Sequence, residues 1–117
     1  MTVLISVEYT LTTEELENIL QMAGYGCNYW ASEIDYDDDY TKIEITDFEE
    51  RVRHRIKRQD IENAIQDIVE CEKEVGLHEG NRAKVYNYVI NPQNNVCDAT
   101  MADWIIQVAI FGEAIYG

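Results

Sequence analysis

Between residues 28 and 57 the side chains alternate in polarity in three successive short runs. No other pattern in the chain narrows the fold as much. In the first run Trp30, Ser32, Ile34 and Tyr36 share one side, and Tyr29, Ala31, Glu33, Asp35 and Asp37 share the other. Thr41 to Asp47 alternates again, with Ile43 and Ile45 on the apolar side. Residues 51–57 alternate a third time, with Arg51, Arg53, Arg55 and Lys57 against Val52, His54 and Ile56. A period of two is that of a half-buried strand. Connections this short, with Asp38 and Asp39 as the first turn, leave room only for hairpins. The runs predict an antiparallel meander.

The flanking segments supply helices and one more strand. Val3, Ile5, Val7 and Tyr9 alternate as a strand over residues 3–9. Thr12 and Glu15 form a capping box ahead of Leu16, Ile19, Leu20 and Ala23, and Gly24 and Gly26 end that helix. Asp60 caps a second helix whose stripe is Ile61, Ala64, Ile65, Ile68, Cys71 and Val75, closed by Gly76. Residues 77–81 read as a loop. Residues 82–90 fit a helix or a strand equally, and 91–95 read as a loop by composition. Asp98 opens a last helix in which Trp104 to Phe111 is apolar nearly all round, so burial on most sides is expected. The expected fold is α+β: one domain over residues 1–117, with an antiparallel sheet of three or four strands and two or three helices on one face.

Charge excludes several function classes. The 117 residues hold twenty-three acids against nine Lys and Arg, a formal charge of −14. A broad surface for DNA, RNA or anionic lipid needs the opposite sign. No apolar run approaches the roughly 18 residues of a membrane span. The first residues lack the basic region and cleavage site of a secretory signal. Cys27, Cys71 and Cys97 are odd in number, widely spaced and without a Cys-x-x-Cys pair. They read as free thiols in a reducing compartment, the cytoplasm, with neither zinc nor a disulfide framework.

The charge is also uneven. Residues 1–50 carry thirteen acids and a single base, Lys42, while residues 51–58 carry five of the nine bases. In a meander, Arg53 and Arg55 share a sheet face with Glu33, Asp35 and Glu44, and cross-strand pairing is the simplest account of them. The sharper account is a phosphate or nucleotide pocket using Arg53, Arg55 and Arg82, with Tyr29 or Trp30 stacking on a base. The surplus acids are Glu14, Glu15 and Glu17, then Asp35, Asp37, Asp38 and Asp39, then Asp47, Glu49 and Glu50. A further row, Asp60, Asp67 and Glu74 with Glu70, runs along the second helix. Alternate side chains on a strand lie roughly 6.7 Å apart, comparable with successive phosphates, so acidic rows can imitate a nucleic acid.

No motif specifies a reaction, and no catalytic residue, metal or cofactor is expected. Asp35 to Asp39 is similar to the start of a calcium loop, but Tyr40 stands where the turn glycine belongs and Thr46 where the closing Glu belongs. Gly24-Tyr-Gly26 lacks the Lys-Ser or Lys-Thr of a phosphate loop. Cys27 as a nucleophile would need His54 beside it.

Ala23-Gly-Tyr-Gly-Cys-Asn-Tyr-Trp30-Ala31 resembles a Gly-Gly-x-x-Tyr-Trp-Ala signature that follows the first helix of small phage and prophage proteins, with Gly24-Tyr-Gly26 in place of the paired glycines. Asp103, Gln107, Phe111-Gly-Glu113 and Tyr116-Gly117 resemble their C-terminal pattern. The resemblance implies a phage accessory protein and carries over no functional residue, the group's function being unassigned. The two stretches are expected to meet, with Asp103 and Gln107 bonding the backbone of the Gly24–Cys27 turn. The leading functional expectation is an acidic phage protein in the host cytoplasm. It would bind and inhibit a basic, nucleic-acid-binding defence complex in the manner of an anti-CRISPR, without touching nucleic acid or membrane itself. The alternatives are sequestration of a nucleotide signal, and a phage assembly protein forming a homodimer through its last helix.

Overall fold

The computed structural model describes residues 11–37, 41–70, 74–92 and 94–116. The order is α1 (Thr13–Gly26), β1 (Ala31–Tyr36), β2 (Lys42–Asp47), β3 (Arg53–Lys57), α2 (Arg58–Glu70), α3 (Glu79–Ile90) and α4 (Ala99–Phe111). The strands form an antiparallel sheet in the order β1-β2-β3, and the helices pack against it in an α+β fold. The strand expected at residues 3–9 lies outside the described residues.

Register explains the two faces of the sheet. Ile34 opposes Ile45, Tyr36 opposes Ile43, and Ile43 opposes Ile56, so these side chains share the face under the helices. Glu44 opposes Arg55 and Thr46 opposes Arg53 on the outer face. The register slips between Ala31 and Glu33. This bulge removes Ser32 from the expected alternation and sends both Trp30 and Ala31 inward. The third run starts later than its alternation suggests. Arg51 sits at φ 59° in the turn, and β3 begins at Arg53.

The caps of α1 and α4 follow the sequence. The Thr12 hydroxyl accepts from Glu15 N (3.1 Å), and Glu15 accepts from Thr12 N (3.1 Å). Asp98 accepts from Met101 N at 2.8 Å. Asp60 works from inside the helix, because α2 continues directly from β3 and its carboxylate reaches back to Lys57 N (2.9 Å). Residues 82–90 are helical, and α3 begins at Glu79 inside the stretch expected to be loop. The His78 ring accepts from Asn81 N (3.3 Å) as its cap. The core joins Leu16, Ile19 and Leu20 of α1, Ile43 and Ile45 of β2, Ile61, Ile65 and Ile68 of α2, and Ile105 and Ile106 of α4. Cys27 and Cys97 are buried free thiols, and Cys71 lies outside the described residues. Among the described residues, no helix is long and apolar enough to cross a membrane.

Candidate functional site

The end of α1 is shaped to present two aromatic side chains to α4. Cys27 caps the helix, its N–H bonding Ala23 O, and Trp30 N and Ala31 N both donate back to Cys27 O. This tight turn aims Tyr29 and Trp30 at Asp103 and Gln107, which stand one turn apart on α4. Asp103 Oδ2 accepts from the Tyr29 hydroxyl (2.7 Å). Its Oδ1 accepts from Trp30 Nε1 (2.7 Å) and Gln107 Nε2 (2.9 Å). Gln107 Oε1 accepts from Ile115 N and Tyr116 N, both at 2.8 Å, while its Nε2 lies 3.1 Å from Tyr116 O. The carboxamide therefore pairs with the C-terminal segment as a strand edge would.

Aromatic packing completes the junction. Trp30 stacks on Tyr116, with centroids 5.4 Å apart and planes within 9°. Phe111 stands edge-on to both rings and to His54. Asp103 is 5% exposed and Gln107 is fully buried. Burial pushes the Cys27 thiol and the Tyr29 hydroxyl upward, and the neighbouring Asp103 carboxylate adds to both shifts.

The two stretches do meet, as expected, but not through the backbone of residues 24–27. Those residues remain in α1 up to its Cys27 cap, so Asp103 meets the side chains of Tyr29 and Trp30 instead. Gly26 is needed for the approach. A Cβ there would sit well inside contact distance of Ala99 O and crowd Asp103 Cβ. Outside this cluster opens a pocket of about 500 Å³ lined by Tyr25, Gly26, Tyr29, Ala99, Thr100, Asp103, Trp104 and Tyr116.

The expected surface acids separate into several groups. Asp47 is not at the surface: it is 1% exposed and faces inward, in phase with Ile43 and Ile45. It accepts from Glu50 N (2.6 Å), Arg51 N (3.2 Å) and His54 Nε2 (3.1 Å), holding the β2–β3 turn rather than facing a partner. Burial pushes its carboxyl up, but the Glu50 N–H, His54 and the Arg51 N–H outweigh this and leave it below the usual range. Asp37 accepts from Thr41 Oγ1 (2.5 Å), Thr41 N (2.7 Å) and Lys42 N (3.0 Å). The Thr41 hydroxyl is the main cause of its lowered pKa. Asp38 and Asp39 lie outside the described residues. Glu49 and Glu50 are exposed beside Tyr116, Asp60 and Asp67 are half-buried, and Glu70 is exposed at the end of α2. Glu74 is exposed beyond α2 and accepts from Gly76 N (3.1 Å), so the helical row ends with Glu70.

The arginines expected as a ligand site are engaged internally. Arg53 bonds Asp35 (3.0 Å), Glu33 (3.5 Å) and Glu44, and Arg55 bonds Glu44 (3.0 Å). The Glu44 carboxyl is lowered by its bonds from Arg53 and then Arg55. Arg82 is not presented to solvent. It is 8% exposed and donates to Ile68 O (2.9 Å) and Asp67 O (3.0 Å) near the end of α2. Tyr29 is half-exposed, whereas Trp30 is buried under Tyr116, so neither Trp30 nor Arg82 can meet a nucleotide at the surface. His54 pairs with Asp47, not with Cys27. Sequence reasoning missed Tyr116 as a site residue, and the aromatic ahead of glycine in the Tyr116-Gly117 ending was its only signal. Comparison with protein-family models, with curated proteins and with solved structures finds no match.

Proposed function

We propose that this chain is a stoichiometric binder of a basic protein surface, deployed by a phage in the host cytoplasm against a nucleic-acid-binding defence complex. One observation carries this reading. Arg53 and Arg55 are closed onto the protein's own acids, and Arg58 and Arg82 onto backbone carbonyls. Exposed Glu14, Glu17, Glu49, Glu50 and Glu70 form no ion pair among the described residues. A surface arranged in this way repels phosphate and attracts the Lys- and Arg-lined groove of a nucleic-acid-binding protein. The reading draws further on the phage-like stretches at residues 23–31 and 102–117.

The same observation weighs against a nucleotide-sequestering protein, because the arginines such a site would use are occupied. The assembly reading is weakened by α4, whose Met101, Ala102, Ile105, Ile106 and Val108 are buried within the domain. The test is capture of purified RNA-guided nuclease complexes by the immobilised chain at low and high ionic strength, with nucleic acid as competitor. Binding that weakens steeply with salt and is displaced by nucleic acid is expected. Binding indifferent to both rejects mimicry, and no binding to any such complex rejects the reading.

A further inference from the structure

The pocket beside Asp103 combines two features that together define a ligand chemistry. Its walls are aromatic: Tyr25, Tyr29, Trp104 and Tyr116 surround one concavity of about 500 Å³. Tyr25 is 72% exposed and Tyr29 52%, so two of these rings rim the opening rather than fill the core. The floor carries a carboxylate. Asp103 is almost fully buried, and its partners are a phenol, an indole, a carboxamide and the Cys27 thiol, all neutral. Among the described residues no Lys, Arg or His forms an ion pair with it.

A buried carboxylate is ordinarily offset by a cation. Here only dipoles offset it, and its field reaches into the pocket. Tyr29 donates its hydroxyl proton towards that carboxylate, which makes the ring face more electron-rich. Cations are attracted to such faces, and arginine stacks on them most readily. Among the described residues no basic side chain lines the pocket, and Glu49 meets the Tyr116 hydroxyl.

We propose that this pocket receives the guanidinium of an arginine side chain projecting from the basic partner. The proposal rests on the partner reading above and supplies its anchor point. Acidic patches give long-range attraction, while the pocket gives a fixed position and register.

The test uses the full chain labelled with nitrogen-15 and three probes: a hexa-arginine peptide, its citrulline counterpart and tetramethylammonium chloride. Citrulline keeps the shape of arginine and lacks the charge. Saturable shifts of the Gly26 and Thr100 amides and the Trp104 indole are expected with hexa-arginine and not with the citrulline peptide. Tyr25→Ala, at an exposed position, is expected to weaken hexa-arginine about two- to fivefold. Asp103→Asn is expected to weaken it further, with the Trp30 indole resonance reporting that the fold is kept. Should that variant unfold, Tyr25→Ala still decides.

Equal shifts with the citrulline peptide overturn cation recognition. Saturation by tetramethylammonium with none by hexa-arginine assigns the pocket to a free organic cation and overturns docking. Shifts confined to the amides of Glu14, Glu17, Glu49 and Glu70 overturn the pocket while the basic-partner reading stands. No shift anywhere overturns both.

Discussion

Gln107 holds more of the site together than any other single side chain. Its carboxamide serves two backbone N–H groups of the C-terminal segment and donates to Asp103, all without access to water. Gln107→Ala leaves those N–H groups without acceptors and opens a cavity, and a loss of about 2–4 kcal/mol is expected. Urea unfolding followed by far-ultraviolet circular dichroism measures it; an unchanged midpoint would show that the segment contributes nothing to stability. That Asp103 and Gln107 meet the stretch from Ala23 to Ala31 was legible in the sequence, though at the Gly24–Cys27 backbone, because an i, i+4 polar pair on an apolar helix must find partners. The donors themselves were not legible, because which atoms meet depends on where α1 ends. Asp47 is the opposite case. Its parity with Ile43 and Ile45 marks it as inward-facing. Charge made it look like surface, but three donors inside the turn satisfy it.

At the scale of elements, α1 and α4 meet where Gly26 lies against the backbone of Ala99. A carbonyl at a helix start cannot move aside as a flexible side-chain tip can. Gly26→Ala is expected to cost about 1–3 kcal/mol through forced separation of the helices. Thermal unfolding checks this: a variant as stable as the parent would mean that the two helices tolerate a wider spacing. Helices with an apolar stripe and a capping residue were legible: α1 by Thr12 and Glu15, α4 by Asp98. The helix α3 was not. Its apolar positions are few, its Val and Tyr content suits a strand, and what commits it to helix is tertiary: Arg82 binding the carbonyls of α2. The bulge at Ser32 was illegible for a similar reason, since it exists only as a mismatch between two strands.

At the scale of the whole molecule, a formal charge of −14 acts against compactness. The outer sheet face resists this locally through Arg53 and Arg55, but exposed pairs of that kind each contribute little. Self-repulsion therefore dominates, and melting temperature is expected to rise as salt increases from low to physiological ionic strength. Differential scanning calorimetry tests this; a falling temperature would place the surface pairs ahead of repulsion. The alternation of residues 28–57 was enough to place this neutralised face, because register alone sets arginine opposite glutamate.

The nearly parallel stack of Trp30 on Tyr116 has an optical consequence. Two chromophores held face to face in an asymmetric setting couple their transitions, so the chain carries its own near-ultraviolet signature of a seated C-terminal segment. That band would vanish when residues 112–116 lift away while every helix remained intact. Release of the segment and loss of the fold can thus be followed as separate events in one unlabelled sample.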